Sequence, residues 1–157
     1  MSIDKKFTDD FRTRRSFANE FLVVCPRCSK KAKVSPTVII TAENLYKAER
    51  KIVCIHCGLF KKKFPKKAIA LHVDKDWFFE LPLYYVIKTN QGNLYAYNDE
   101  HLDYLEKFIS SKIRERVKSE EYGWSNQSQI SRLPKWVKSS KNRLKLLLAI
   151  KKINISE

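Results

Sequence analysis

Four cysteines fall into two pairs of one form, Cys25-Pro26-Arg27-Cys28 and Cys54-Ile55-His56-Cys57, with 25 residues between the pairs. Two residues between cysteines let the chain turn sharply enough to offer both thiolates to one ion, and backbone N–H groups in such a turn can donate to the sulfurs. Two turns supply the four ligands that Zn²⁺ takes in a tetrahedron and leave no coordination position open. The expected group is therefore one structural zinc held by Cys25, Cys28, Cys54 and Cys57. Iron would accept the same ligands. Gly58, behind Cys57, permits the positive-φ step that often follows such a turn, while Ser29 holds the matching place behind Cys28. His56 lies inside the second turn, but four thiolates already complete the set, so it reads as a surface side chain or a donor near the sulfurs. His72 and His101 have no partners at metal spacing and read as surface or packing residues.

The chain offers little other chemistry. It has no Ser-His-Asp grouping, no phosphate-binding glycine loop and no H-E-x-x-H motif. Asp99, Glu100, Asp103 and Glu106 suit the first turns of a helix, where the helix dipole favours negative charge. No catalytic residue is assigned and no enzyme activity is expected.

The elements that must position the cysteines are short strands. Phe21-Leu22-Val23-Val24 leads into the first pair, and Lys31 to Val34 alternates charged and apolar side chains on the way out. Lys51-Ile52-Val53 leads into the second pair and Leu59 to Phe64 leads away, with Pro65 ending any strand there. Val38-Ile39-Ile40 reads as a further extended piece, and Thr41 to Arg50 as a loop or single helical turn. Beyond Ile69 lie Trp77-Phe78-Phe79 and a hairpin, Leu83 to Lys88 and Leu94 to Tyr97, turning at Asn90-Gln91-Gly92-Asn93. Asn98 caps a helix whose buried stripe is Leu102, Leu105, Ile109, Ile113 and Val117. Glu120 to Gln127 reads as a loop. Pro134 suits the first turn of another helix, and Leu144, Leu146, Leu147, Leu148, Ile150 and Ile153 give a final helix with a wide apolar face.

Twice over, residues 21–64 run strand, C-x-x-C, strand, which resembles the zinc ribbons of transcription-factor-IIB type. Such ribbons occur in transcription factors, RNA polymerase subunits, helicases and ribosomal proteins. Leu94-Tyr95-Ala96-Tyr97-Asn98, His101-Leu102, Leu105 and the run Arg132 to Ser139 resemble a group of small, uncharacterised bacterial zinc-ribbon proteins. In that group the hairpin turn before the helix can carry cysteines of its own. Here Thr89-Asn90-Gln91-Gly92 has none, so no second metal is expected. The resemblance implies an architecture and brings no activity with it.

Of 157 residues, 43% are apolar and 12% aromatic, enough for a core. The expected class is α+β: a four-cysteine ribbon of short antiparallel strands, then a β-hairpin and two or more packed helices. The organisation reads as a basic, partly ordered lead-in over 1–20, the ribbon over 21–68, and a hairpin-plus-helices unit over 69–157 packed on the ribbon. No signal-peptide core or membrane-length apolar run is visible, so the expected location is the cytoplasm, where thiols stay reduced.

The net charge is +15, and residues 1–75 hold 18 basic against 7 acidic side chains. Lys30, Lys31 and Lys33 follow the first cysteine pair; Lys61, Lys62, Lys63, Lys66 and Lys67 follow the second. Such clusters suit phosphate contacts with DNA or RNA. The expected function is a nucleic-acid-binding accessory or regulatory factor. The alternative is an adaptor in a bacterial multi-protein system, its leucine-rich helix meeting a protein partner. Phe60 and Phe64 could stack on unpaired bases, but burial statistics place them in the small ribbon core.

Overall fold

Short strands separated by tight turns dominate the first half of the chain, and helices the second. The computed structural model describes residues 6–115 and 128–155. The strands are β1 (Lys6–Thr8), β2 (Phe21–Val24), β3 (Lys31–Pro36), β4 (Arg50–Val53), β5 (Phe60–Lys63), β6 (Tyr85–Thr89), β7 (Gly92–Ala96) and β8 (Ile113–Glu115). The helices are α1 (Asp99–Ser110), α2 (Lys135–Lys138) and α3 (Arg143–Ile155). An antiparallel four-stranded sheet and three helices make the protein α+β, as expected. No helix among the described residues is long and apolar enough to cross a membrane.

The chain forms two units. One comprises Phe17–Val86 with Leu94–Asp99; the other falls within Met1–Ser16, Ile87–Asn93 and Glu100–Glu157. Residues 69–86 thus group with the cysteine-bearing strands. The β6–β7 hairpin is shared, its tip assigned to one unit and its base to the other.

In the first unit the sheet runs in the order β2-β3-β4-β5. Directly paired residues on neighbouring strands share a face, and successive residues alternate between faces. The register Phe21↔Val34↔Ile52 therefore makes one inner row, and all three side chains are buried. Phe21 packs in an aromatic cluster with Tyr97 at 4.8 Å, Trp77 at 5.6 Å and Phe78 at 6.0 Å between ring centroids. Backbone bonds from Tyr84 N–H to the Leu22 carbonyl and from Val24 N–H to the Pro82 carbonyl, both 2.9 Å, tie residues 82–84 alongside β2. Asp76 accepts the N–H groups of Phe78, Phe79 and Leu81 at 2.7–2.9 Å, which shapes the turn carrying the aromatic residues. Arg50, expected at the end of a loop, instead opens β4 and is fully buried. Its guanidinium lies 4.1 Å from the Phe78 ring centroid and donates to the Leu45 carbonyl at 2.8 Å.

Val38–Ile40 forms no strand. Pairing ends where Thr37 N–H meets the Glu49 carbonyl, and Asn44 then pins the loop by bonding to Thr41 N–H and the Ile39 carbonyl. Ile39, outside any strand, stands 88% exposed.

In the second unit α1 buries Leu102, Leu105 and Ile109 as expected, together with His101, Tyr104 and Phe108. It ends at Ser110, earlier than the apolar spacing implies. The Ser110 and Ser111 hydroxyls both bond back to the Lys107 carbonyl, competing with continuation of the helix ladder. Ile113 lies in β8, parallel to β1, and Val117 is outside the described residues, as is the expected 120–127 loop. Phe7 of β1 sits edge-on to Tyr104 and Phe108 at 5.4 and 5.3 Å. Pro134 takes the N-cap of α2, one place before the first turn. The apolar face of α3 is narrower than its composition suggests: Leu146 and Ile150 are buried, whereas Leu144 is 70% and Leu148 52% exposed.

Candidate metal centre and basic sheet face

The four cysteines meet because of strand direction. β3 leaves the first cysteine turn while β4 enters the second, and their antiparallel pairing sets both turns at one end of the sheet. The two turns share one hydrogen-bond plan. Cys25 N–H donates to the Lys30 carbonyl at 2.7 Å and Ser29 N–H to the Cys25 carbonyl at 2.9 Å. In the second turn Cys54 N–H donates to the Leu59 carbonyl and Gly58 N–H to the Cys54 carbonyl, both at 2.9 Å.

All four Sγ atoms lie within 4.8 Å of one another and could hold a metal ion. Cys25 and Cys57 sulfurs are 3.7 Å apart, and those of Cys28 and Cys54 3.6 Å. A regular tetrahedron with metal–sulfur bonds of about 2.3 Å has edges of about 3.75 Å, so the sulfurs stand at ligand spacing. They are far outside the ~2.05 Å of a disulfide. Cys25 and Cys54 are buried; Cys28 and Cys57 are half-buried. A set of this kind fixes a fold and, once filled, leaves no position for a substrate.

Burial pushes the Cys25 thiol up, but N–H donation from Cys28 and Arg27 and the neighbouring sulfurs outweigh it and bring it down to about 6. For Cys28 the Lys30 N–H pulls downward, yet burial and three nearby sulfurs leave it pushed up to about 11. A crowded thiol set gives up its first proton readily and later ones only against accumulated negative charge, which a bound cation removes.

His56 is exposed in the second turn and outside the ligand set. His72 Nε2 sits 3.8 Å from a Glu80 carboxylate oxygen. His101 is buried in the second unit, and burial lowers its imidazole to about 3.

Strand alternation divides the expected lysines. Lys31 and Lys33 of β3 share a face with Lys62 of β5, because Ser35, two residues past Lys33 on the same face, pairs through Lys51 to Lys62. Lys61 and Lys63 have the opposite parity; Lys63 Nζ lies 5.7 Å from the Phe79 ring centroid, while Lys61 is exposed on the edge strand. Lys30, Lys66 and Lys67 are exposed outside the strands, and Lys66 stands 3.8 Å from Glu80. Lys33 is 3.9 Å from Glu20, and Lys31 Nζ lies 5.7 Å from the Tyr84 ring. Lys51 joins Lys31, Lys33 and Lys62, a place outside the expected lysine clusters that its alternation with Ile52 signals.

The phenylalanines are not in the core. Phe60 pairs with Val53, itself paired with Lys33, so it belongs to the outer row and is 56% exposed; Phe64 is 70% exposed. Among the described residues β5 is the edge strand of the sheet, with a neighbouring strand on one side only.

Comparison with protein-family models, with curated proteins and with solved structures gave no match.

Proposed function

We propose that the protein is a small nucleic-acid-binding accessory factor in which a zinc ribbon of transcription-factor-IIB type presents a basic sheet face to phosphates. One observation carries this reading: Lys31, Lys33, Lys51 and Lys62, from three strands, share a face, and β3, β4 and β5 contain no acidic residue. Lysines so placed neutralise phosphates without reading bases, so affinity should be sequence-tolerant and strongly salt-dependent. The four-thiolate set supports zinc as the ion, and its part is to hold the two turns, and hence the strands, in place.

Salt titration of oligonucleotide binding tests the reading. Four phosphate contacts correspond to a slope of log affinity against log salt of about −3 to −4. Substituting Lys33, Lys51 and Lys62 together by Gln should bring the slope near −1. The control is Lys141→Gln with Lys145→Gln, exposed positions around the start of α3. No binding at low salt, or loss only in the control, would sink the proposal.

A second reading, a protein-interaction adaptor, draws on Leu144 and Leu148, exposed one turn apart on α3. Co-purification with and without nuclease separates the two: a partner retained after nuclease treatment favours the adaptor.

A further inference from the structure

We infer that the polyanion taken by this face is single-stranded nucleic acid, with Phe60 and Phe64 stacking on unpaired bases; this rests on the phosphate-binding reading above. Lysines alone cannot distinguish one polyanion from another, because ammonium groups contact any phosphate or sulfate. They also have an ordinary purpose on β5, since charge on an edge strand blunts pairing with other chains. That purpose accounts for Lys61, Lys62 and Lys63 but not for two exposed phenyl rings beside them.

Phe60 lies in the outer row Lys33, Val53, Phe60, and Lys62 follows on the same face about 6.7 Å further along the strand. Phe64 is two residues past Lys62 and more exposed than Phe60. The order Phe60, Lys62, Phe64 thus interleaves rings and charge along the edge strand and the residue just past its end. A chain with phosphates and unstacked bases complements that order, the phosphates meeting Lys33, Lys51 and Lys62 while bases cover the rings. A duplex keeps its base faces stacked inside and has nothing to offer a phenyl ring on a sheet surface. Aromatic residues on an open sheet among cations are a general means of holding single strands, and each ring stacks on any base, so sequence preference is weak.

Fluorescence anisotropy with oligo-dT, oligo-U, a duplex of equal phosphate number and heparin tests the inference on the metal-loaded full chain. The wild type should bind both single strands about tenfold more tightly than the duplex. Phe60→Ala should weaken single-strand binding about tenfold and change duplex and heparin binding less than twofold. Phe60→Trp should retain the affinity, whereas Phe60→Leu, apolar but without a π face, should behave as Phe60→Ala. Phe64→Ala should act in the same direction. An exposed ring can be removed without unfolding the sheet, and unchanged metal content of each variant verifies that. Equal binding of single strand, duplex and heparin with silent phenylalanine variants overturns the single-strand inference and leaves phosphate binding standing. No binding to any of the four overturns both.

Discussion

Ser29 and Gly58 occupy one structural position in the two cysteine turns: each follows the second cysteine of its pair, and each has left-handed backbone, with φ of 63° and 77°. Each N–H reaches back to the carbonyl of the first cysteine of its pair at 2.9 Å. The turn therefore demands a conformation that glycine adopts freely and that costs an L-residue roughly 1–2 kcal/mol. Gly58→Ala should destabilise the metal-loaded protein by about that amount, and for backbone reasons alone, because a Cβ there would meet nothing within 4 Å. Ser29→Gly should stabilise by roughly 0.5–1 kcal/mol, the relief being partly offset by the greater entropy glycine loses on folding. Denaturant melts of the two variants check the pair; a destabilised Ser29→Gly would mean the hydroxyl holds something the turn needs.

The buried side of α1 gives a second prediction. Leu105 is fully buried, so Leu105→Ala should cost ~2–5 kcal/mol through lost burial and the cavity left behind. On the exposed side Lys107 pairs with Asp103 at 2.8 Å, and Lys107→Ala should leave stability almost unchanged, because exposed ion pairs contribute little. Thermal unfolding compares them, and a damaging Lys107→Ala beside a silent Leu105→Ala would place the buried stripe on the wrong side.

His101 supplies a pH dependence. Burial lowers its imidazole to about 3; a contact with Gln129 opposes this, and the charges of Arg14 and Arg12 reinforce it. In the unfolded chain the group titrates near 6.5, so between about pH 6.5 and pH 3 the unfolded state binds the extra proton. Stability is then present in full above pH 6.5 and falls as pH drops through that window, by roughly 5 kcal/mol over its whole span. Because acid also protonates the thiolates, the readout is the difference in slope between wild type and His101→Asn. Stability measured from pH 6.5 to pH 4 should fall more steeply in the wild type; parallel slopes would show that His101 does not drive it.

The parts of this fold that follow local rules were legible in the sequence. β2 begins and ends where its apolar run does, β5 stops before Pro65, and α1 starts directly after Asn98. The cysteine spacing announced a metal-ligand set, and the sulfurs do lie together. What stayed hidden depends on non-local pairing. Arg50 looked like a loop residue because nothing local shows that Phe78, 28 residues away, waits beneath its guanidinium. Apolar type alone suggests core for Phe60 and Phe64, but Phe60 belongs to the outer row of an edge strand and Phe64 lies past its end. The lysines of 61–63 read as one cluster, yet β pleating sends Lys62 to one face and its two neighbours to the other.

Native mass spectrometry of the purified full chain decides whether one ion holds the two cysteine turns together, on which everything proposed for the sheet depends. A folded species carrying one zinc per chain is expected, with Cys25, Cys28, Cys54 and Cys57 all outside disulfides, and that zinc should be lost in Cys54→Ser. A folded chain that carries no metal, or one with Cys25 and Cys28 joined in a disulfide, would contradict it.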